Sequence, residues 1–380
     1  MVVKQSALDH NVSLMARYAA ERGFLLAPHG KTTMAPQLFS RQLAAGAWGM
    51  TVANPAQAAV AYEAGAQRAL VANEVIGAQA ARAIVELLSP GGRRLICLVD
   101  SPAGAGLLDD NLERAGMTGR LDVLVEMGSP GARAGARHPA EALAVARAVG
   151  TSRHLRLVGV EGFEGAVAGD RSQAALEAVG LYLATLRRTA VHLAREGAFP
   201  AGEPVLVSAG GSKYFDLVAT ELGPGADYEG LTTELVARPG CYLVHDHGIY
   251  ATSSPLARGT EVLMAALEVW AEVLSVPEPG LAIVGMGKRD VSHDLGLPVP
   301  LRLVRGQEVT EWSEGHVAKL DDQHGYLVFG ATTTGGPHPE VGDLVSFGLS
   351  HPCTALDKWR SLLLVDDQWV VREEIATYFH

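Results

Sequence analysis

Short apolar runs alternate with alanine-rich amphipathic stretches through the first two thirds of the chain. The apolar runs are continuous, without a polar residue at every second position, which is typical of strands that are covered on both faces. The stretches between them have the length and composition of helices. Eight parallel strands are predicted at 24–28, 48–53, 68–72, 94–99, 121–126, 155–161, 204–208 and 234–239. Intervening helices are predicted at 36–45, 55–64, 77–88, 140–149 and 172–196.

Eight strands that alternate with helices predict an α/β fold, a closed (β/α)8 barrel with its functional residues at the carboxyl ends of the strands. An open doubly wound sheet is the alternative. It is disfavoured because no Gly-x-Gly-x-x-Gly turn follows the first strand.

The pattern changes near Asp246, where short strands separated by Gly and Pro turns replace the alternation. We therefore predict a barrel domain over residues 8–245 and a β-rich domain over 246–380, to which residues 1–7 add a strand. Strands of the second domain are predicted at 262–276, 281–284, 301–303, 308–312, 326–329, 343–347, 361–365 and 369–375.

Charge and composition exclude several classes of function. The 380 residues carry a net charge of -11 without a basic block, so no nucleic-acid partner is expected. No apolar run approaches the roughly 20 residues that span a bilayer, so no membrane partner is expected either. The first residues lack the pattern of a signal peptide, and the 3 cysteines cannot all pair. We expect a cytoplasmic protein.

Lys31 is the first candidate for chemistry, because it follows the first predicted strand at the functional end of the barrel. A lysine at such a position can form a Schiff base with a carbonyl group. A lone lysine at a strand end is more often a solvated surface residue. Here the flanking segments 28–30 (Pro-His-Gly) and 32–36 (Thr-Thr-Met-Ala-Pro) indicate a constrained turn.

Other strand ends carry groups suited to an anionic ligand. Arg133 lies in a glycine-flanked turn, and Gly211-Ser212 and Gly240-Cys241-Tyr242 lie in late βα turns. Late turns of barrels commonly bind phosphate through backbone N–H groups. Each signal is weak alone, because Gly-Gly is more often an ordinary turn and a loop arginine often faces water.

His351 and Cys353 are two residues apart, so their side chains point to one face if the segment is extended. An imidazole and a thiolate suit a borderline-soft divalent metal such as zinc, and two protein ligands leave positions open for substrate and water. Taken alone, such a pair is more often simply packed. The polar run 245–247 (His-Asp-His) is interpreted as a domain junction.

Taken together, these motifs resemble the pyridoxal-phosphate enzymes with the alanine-racemase-like fold. Within that group the chain is similar to the D-serine dehydratase and D-threonine aldolase branch, in order and over essentially its whole length. The segments that carry the resemblance are 28–32, 42–47, 72–75, 131–135, 208–212, 234–242, 322–325 and 342–353.

The resemblance implies a role for each candidate. Lys31 would bind pyridoxal phosphate covalently, and Arg133 would lie near its phenolic oxygen. His351 and Cys353 would bind a divalent metal, with zinc as the expected ion, and the family implies a homodimer. The phosphate of the cofactor would be held by Gly211, Ser212, Gly240, Cys241 and Tyr242.

One departure from the family pattern lies at 161–163. The chain has Glu161-Gly162-Phe163 where the family often has Gln-x-Tyr, which removes a phenol near the cofactor. The segment before Ser6 is also short for the family. Gly285 stands where the family often has aspartate. These departures leave the preferred substrate open.

The function expected from the resemblance is β-elimination from a D-β-hydroxy amino acid such as D-serine, giving a 2-oxo acid and ammonia. The pair His-x-Cys favours this dehydration, because the aldolase members tend to carry His-x-Asp. The nearest alternative is retro-aldol cleavage to glycine and an aldehyde. A racemase is less favoured because proton transfer at Cα needs no metal pair. A non-catalytic carrier of the cofactor is less favoured because such proteins usually consist of the barrel alone.

Overall fold

Strands and helices alternate through the first part of the chain, and short strands dominate the rest. The structure is a computed structural model that describes residues 1–330 and 337–379. The strands, in chain order, are β1 (Val2–Lys4), β2 (Leu25–Leu26), β3 (Met50–Val52), β4 (Arg68–Glu74), β5 (Arg94–Val99), β6 (Leu121–Met127), β7 (Leu155–Gly162), β8 (Val205–Ala209), β9 (Thr233–Ala237), β10 (Leu267–Glu278), β11 (Leu281–Val284), β12 (Val299–Arg305), β13 (Glu308–Glu311), β14 (Gly315–Leu320), β15 (Gly325–Phe329), β16 (Leu344–Gly348), β17 (Ser361–Val365) and β18 (Val371–Ala376). The helices are α1 (Gln5–Arg22), α2 (Pro36–Ala44), α3 (Pro55–Glu63), α4 (Ala78–Leu88), α5 (Pro102–Arg114), α6 (Pro139–Thr151), α7 (Gln173–Arg195), α8 (Phe215–Leu222), α9 (Ile249–Ser253) and α10 (Cys353–Leu356).

Two compact units make up the chain. One is Met15–Gly240, and the other joins Met1–Leu14 to Cys241–His380. The boundary predicted from the sequence, between residues 245 and 246, lies shortly after this division. The N-terminal part of the second unit extends further into the chain than residues 1–7, because the first half of α1 belongs to it.

The first unit is the predicted parallel barrel. Its eight strands have the order β2-β9-β8-β7-β6-β5-β4-β3, and every pair is parallel. A bridge between His29 and Thr51 and a hydrogen bond of 2.8 Å from Trp48 N–H to Leu26 O join the two outer strands. The ring is therefore closed, and the open-sheet alternative is wrong.

Apolar side chains from the strands fill the interior of the barrel. This is why the sequence shows continuous apolar runs, since each strand is covered by helices outside and by these residues inside. The interior cluster consists of Ala27, Leu70, Ile96, Leu98, Leu124, Val158, Leu206 and Val236.

The second unit is rich in β-structure, as predicted. Its main sheet has the order β13-β12-β16-β10-β1-β17-β18, and β11, β14 and β15 form a branch from β10. Strand β1 pairs with both β10 and β17, so the N-terminus contributes an inner strand as expected. The predicted strands do not include β14, because its exposed residues His316 and Lys319 interrupt the apolar pattern.

The helices found in the described part of the chain do not include one long and apolar enough to cross a bilayer.

The glycine at the end of the last barrel strand provides a test of this packing. A Cβ atom at Gly240 would lie 2.6 Å from Thr32 Oγ1 and 2.7 Å from His29 O, in the turn that carries Lys31. We expect Gly240→Ala to lower the free energy of unfolding by roughly 1–3 kcal/mol, because the turn or the segment after β9 would have to shift to admit the methyl group. Urea denaturation measures this change.

The matched control is Gly225→Ala, since Gly225 is exposed in the same unit and its Cβ would meet no atom within 4 Å. Equal stability of the two variants would contradict the tight contact at Gly240.

Candidate active site

The carboxyl ends of the barrel strands surround a cavity of about 180 Å³. Of the residues predicted for the site, Lys31, Arg133 and Gly211 line this cavity, whereas Ser212 and Gly240 do not. The cavity is further lined by His29, Ala53, Ala72, Asn73, Glu74, Leu98, Glu126, Ala134, Glu161, Phe163, Gly210 and Arg238. It is rich in charged side chains of both signs, which is unusual for the interior of a folded domain.

Lys31 lies in a tight 3₁₀ turn just after β2. Backbone hydrogen bonds from Thr33 and Met34 to the carbonyl of Gly30, at 3.1 and 2.9 Å, hold this turn. Gly30 packs so closely on Phe39 that a Cβ would lie 2.7 Å from the ring. Lys31 itself is exposed to solvent in the cavity while its neighbours are buried. The constrained turn that the sequence predicts is therefore present, and it presents the amine to the cavity.

His29, next to this turn, is held neutral. Burial lowers its pKa well below the usual value, and the nearby Lys31, Arg238 and Arg133 lower the pKa further. Its Nδ1 atom is buried and has no hydrogen-bond partner among the described residues. Three cationic side chains thus converge near one neutral imidazole, so the cavity has a positive side.

Arg133 is positioned by a second arginine that the sequence did not single out. The Arg137 guanidinium donates hydrogen bonds to the carbonyl groups of Ala134 at 2.9 Å and Gly135 at 2.6 Å, and also to that of Arg133. These bonds fold the glycine-rich loop around Arg137. The Arg133 guanidinium then lies 4.8 Å from the centre of the Phe163 ring, a cation–π distance.

The Gly210-Gly211 turn is anchored by Glu164. The buried carboxylate of Glu164 accepts the N–H of Gly210 at 2.9 Å and that of Gly211 at 2.6 Å. Burial raises the pKa of Glu164, and these two hydrogen bonds oppose that rise. The Gly211 N–H is therefore already bonded, so its predicted contact with a phosphate would require this bond to be exchanged.

Two buried carboxyl groups, Glu161 and Glu126, form the acidic side of the cavity. Arg238 donates to Glu161 Oε1 and, at 2.6 Å, to the hydroxyl of Ser208. Glu126 is hydrogen-bonded to Glu74, which requires a proton between the two carboxyl groups. Burial, Glu161 and Glu74 together raise the pKa of Glu126 to about 9. Glu126 is therefore a neutral acid at pH 7.

The predicted metal pair lies in the second unit, between β16 and α10. The extended segment expected there is not found, because His351 has φ +55° and Cys353 begins α10. The two side chains still meet, since Cys353 is hydrogen-bonded to the His351 imidazole. The Cys353 thiol and the Asp294 carboxylate both raise the pKa of His351.

Two aspartates fix His351. Asp294 Oδ2 lies 2.6 Å from the imidazole Nδ1, and Thr354 donates to the other oxygen of Asp294. Asp246 is buried, accepts the backbone N–H of His351 at 3.0 Å, and also accepts N–H groups at the start of α9. The His-Asp-His run is thus more than a junction, because its aspartate holds the unusual backbone of His351.

Cys241 and Cys353 are in contact, with their Sγ atoms 3.4 Å apart. Burial and the neighbouring Cys241 raise the pKa of Tyr250, which is hydrogen-bonded to Cys241. Over residues 1–330 and 337–379, no group of three or more His, Cys, Asp or Glu side chains is arranged to hold a metal ion. The pair His351 and Cys353 thus remains a candidate with two protein donors.

Comparison with known proteins identifies the family. Residues 3–214, more than half of the chain, match the profile of the alanine racemase N-terminal domain. The chain belongs to this family. Residues 266–365 match a second profile, the putative serine dehydratase domain. The resemblance drawn from the motifs is thereby confirmed, and so is the fold.

Individual relatives span nearly the whole chain. D-threonine aldolase of Arthrobacter sp is 24% identical over 367 residues, which are 97% of this chain and 88% of that protein. 3-Hydroxy-D-aspartate aldolase of Paracoccus denitrificans (strain Pd 1222) is 24% identical over 334 residues, 86% of this chain and 79% of that protein. The crystal structure of D-threonine aldolase from Filomicrobium marinum has a TM-score of 0.80 and 25% identity, with 99% of this chain and 94% of that chain covered.

Because Glu126 is neutral in the folded protein, the stability of the protein depends on pH. Its carboxyl group titrates near 4.5 when unfolded and near 9 when folded. Between these values the folded state keeps a proton that the unfolded state has lost, so raising the pH lowers stability by at most about 1.4 kcal/mol per pH unit. We expect Glu126→Gln to flatten this decline, because an amide cannot ionise. Urea unfolding of the cofactor-free protein from pH 5 to 9 measures the slope.

The matched control is Glu63→Gln, on the exposed surface of α3. It should leave the slope as in the wild type. A slope unchanged by Glu126→Gln would mean that Glu126 is ionised in the folded state.

Proposed function

We propose that this protein is a pyridoxal-phosphate-dependent lyase that acts on D-β-hydroxy amino acids. The observation that carries the proposal is that Lys31 shares one cavity at the barrel rim with Arg133 and the Gly210-Gly211 turn. The substrate class is supported by the relatives, since D-threonine and 3-hydroxy-D-aspartate are both D-β-hydroxy amino acids.

The residues of the cavity fit the cofactor. Lys31 offers an amine for covalent attachment, Arg133 offers a cation for the phenolic oxygen, and the buried carboxyl groups offer acceptors for a protonated nitrogen. The predicted phosphate-binding residues Gly211, Ser212, Gly240, Cys241 and Tyr242 remain part of this proposal. When bound, pyridoxal phosphate supplies an electron sink for a carbanion at the substrate Cα.

The side chains of the cavity then handle the protons. Lys31, when its amine is free, would be the base that removes the proton from the substrate Cα. His29 is neutral, so the positive charge of the cavity is carried by Arg133, Arg238 and Lys31. Because Lys31 projects from one turn, it would reach one face of the substrate, so only one enantiomer would lose its Cα proton.

We further propose that His351 and Cys353 bind a divalent metal, with zinc as the expected ion. An imidazole and a thiolate are donors that zinc prefers, and Asp294 at Nδ1 leaves the other ring nitrogen for a ligand. Such a metal would act as a Lewis acid toward the β-hydroxyl group of the substrate. Asp246 and Asp294 would set the position and orientation of the imidazole.

The specific reaction proposed is β-elimination, as for a D-serine dehydratase. Support comes from Cys353 in place of the aspartate typical of aldolases, and from the match of residues 266–365 to the putative serine dehydratase domain. Retro-aldol cleavage is the second candidate, because the two curated relatives are aldolases. The homodimer and the cytoplasmic location stay predictions.

The first prediction concerns the lysine. The wild-type protein mixed with pyridoxal phosphate should develop visible absorbance and fluorescence of the bound cofactor, and Lys31→Ala should not, because only an amine can attach the aldehyde. Spectra after gel filtration measure this binding. Lys213→Ala is the control, because Lys213 is a half-buried lysine near the same rim that bonds to the carbonyl of Gly169.

The products distinguish β-elimination from retro-aldol cleavage. Incubation with D-serine, D-threonine and D-threo-3-hydroxyaspartate should give 2-oxo acid and ammonia, without glycine. Glycine and aldehyde would instead establish the aldolase, and cofactor binding without any product from these substrates would favour a carrier.

A second prediction concerns the metal. We expect Asp294→Asn to weaken zinc binding roughly 10- to 100-fold, because the partner that orients the imidazole loses its charge. Competition with a chromophoric chelator measures the affinity. Asp357→Asn, at the end of α10, is the control and should bind zinc like the wild type. Zinc affinity unchanged by both Asp294→Asn and His351→Ala would contradict the metal site.

A further inference from the structure

Two thiols of the second unit lie in contact with each other. The Sγ atoms of Cys241 and Cys353 are 3.4 Å apart, although the residues are 112 positions apart in the chain. All three cysteines of the chain are present as thiols. The third, Cys97, lies in β5 of the barrel, in the other unit. Cys241 and Cys353 are therefore placed to react with each other, and Cys97 is set apart from them.

The elements that carry the two thiols allow the sulfur atoms to approach further. Cys241 begins the 3₁₀ turn Cys241–Leu243, and Cys353 begins α10, which is only four residues long. The sulfur atoms are already in van der Waals contact, so a small rotation of both side chains brings them toward bonding distance. A disulfide between them therefore needs no large movement of the backbone.

Asp246 holds both thiol-bearing segments from one buried carboxylate. Its Oδ2 accepts the backbone N–H of His351 at 3.0 Å, two residues before Cys353. Its Oδ1 accepts the backbone N–H of Tyr250 at 2.8 Å, and Tyr250 is hydrogen-bonded to Cys241. The two oxygens of one side chain thus fix the segments that bring the thiols together.

The thiols differ in their access to solvent. Cys353 is half-buried, whereas Cys241 is only 4% exposed. An oxidant from solvent therefore meets Cys353 first, and Cys241 is the neighbour that can attack the oxidised sulfur. Cys97 is fully buried and burial raises its pKa, so it lacks both the exposure and the thiolate that oxidation requires.

We propose that Cys353 is a site of oxidation by peroxides and that it forms a disulfide with Cys241. The Cys353 sulfur attacks an oxygen of hydrogen peroxide, the O–O bond breaks, and a sulfenic acid and one water form. The Cys241 sulfur then attacks the oxidised sulfur, the S–O bond breaks, and a second water leaves. The two thiols lose two electrons and two protons, and the peroxide is reduced to two waters. A thiol reductant reverses the bond.

The disulfide uses a sulfur that the proposed metal site needs. Cys353 cannot be a thiolate ligand while it is bonded to Cys241, so oxidation and zinc binding exclude each other. Only this consequence rests on the proposed function, because the reaction of the two thiols does not require a metal. A disulfide that forms and is reduced again is also the kind that occurs in reducing compartments.

The test treats the full chain, freed of metal by a chelator and reduced beforehand, with hydrogen peroxide. The number of thiols in the denatured protein should fall from three to one. Peptide mapping without reductant should find Cys241 joined to Cys353 within one chain. Cys97→Ser is the matched control, because it removes the thiol outside the pair and should form the same disulfide.

Cys241→Ser tests the order of the steps. Without its partner, the oxidised Cys353 should persist as a sulfenic acid that dimedone labels, whereas the wild type should give little label. Zinc affinity, measured by competition with a chromophoric chelator, should be lost on oxidation and restored by dithiothreitol. Zinc added before the peroxide should protect both thiols.

A thiol count that stays at three, a disulfide that involves Cys97 or joins two chains, or equal labelling of the wild type and Cys241→Ser would overturn the proposal. Equal zinc affinity of the oxidised and reduced protein would overturn the link to the metal. Failure of the reduced protein to bind zinc would instead contradict the proposed metal site, and the disulfide would stand on its own measurement.

Discussion

Closure of the barrel is the constraint on which the candidate site depends. The first barrel strand, β2, is only two residues long, and it is joined to β3 by the hydrogen bond from Trp48 to Leu26 and by the bridge between His29 and Thr51. Lys31 follows this seam directly. Because all eight strands are parallel, closing the ring brings every carboxyl end to one rim. Groups at or just after the carboxyl ends of β4, β6, β7, β8 and β9 meet the lysine there.

The rim concentrates charge that the barrel must balance. Lys31, Arg133 and Arg238 are opposed by Glu161 and Glu164, whereas Glu126 avoids a further negative charge by holding a proton. Isolated charges are costly in such surroundings, so each buried group is tied to a partner or neutralised. In the pair of Glu161 and Arg238, Glu161 Oε2 has no partner among the described residues, so a ligand or water can complete the charge balance there.

Sequence patterns predicted the strands well because both faces of a barrel strand are apolar. The same patterns placed Lys31, Arg133 and Gly211 at strand ends, which the fold brings together. They did not predict the residues that position these groups. Glu164 lies 46 residues before Gly210, and Asp294 and Asp246 lie 57 and 105 residues before His351. A carboxylate with a distant backbone or imidazole partner has no local signature, so only the fold reveals the pairing. The backbone of His351 was likewise not predictable, because Asp246 stabilises a conformation that its neighbours in sequence do not favour.

The central claim is that Lys31 is the residue that binds the cofactor. The most direct measurement is borohydride reduction of the protein with pyridoxal phosphate, followed by proteolysis and mass spectrometry of the modified peptide. The account predicts one modified lysine, at Lys31, and protection of that lysine when D-serine is added before reduction. Modification spread over other lysines such as Lys213 and Lys288, or a single modified lysine elsewhere, would contradict it.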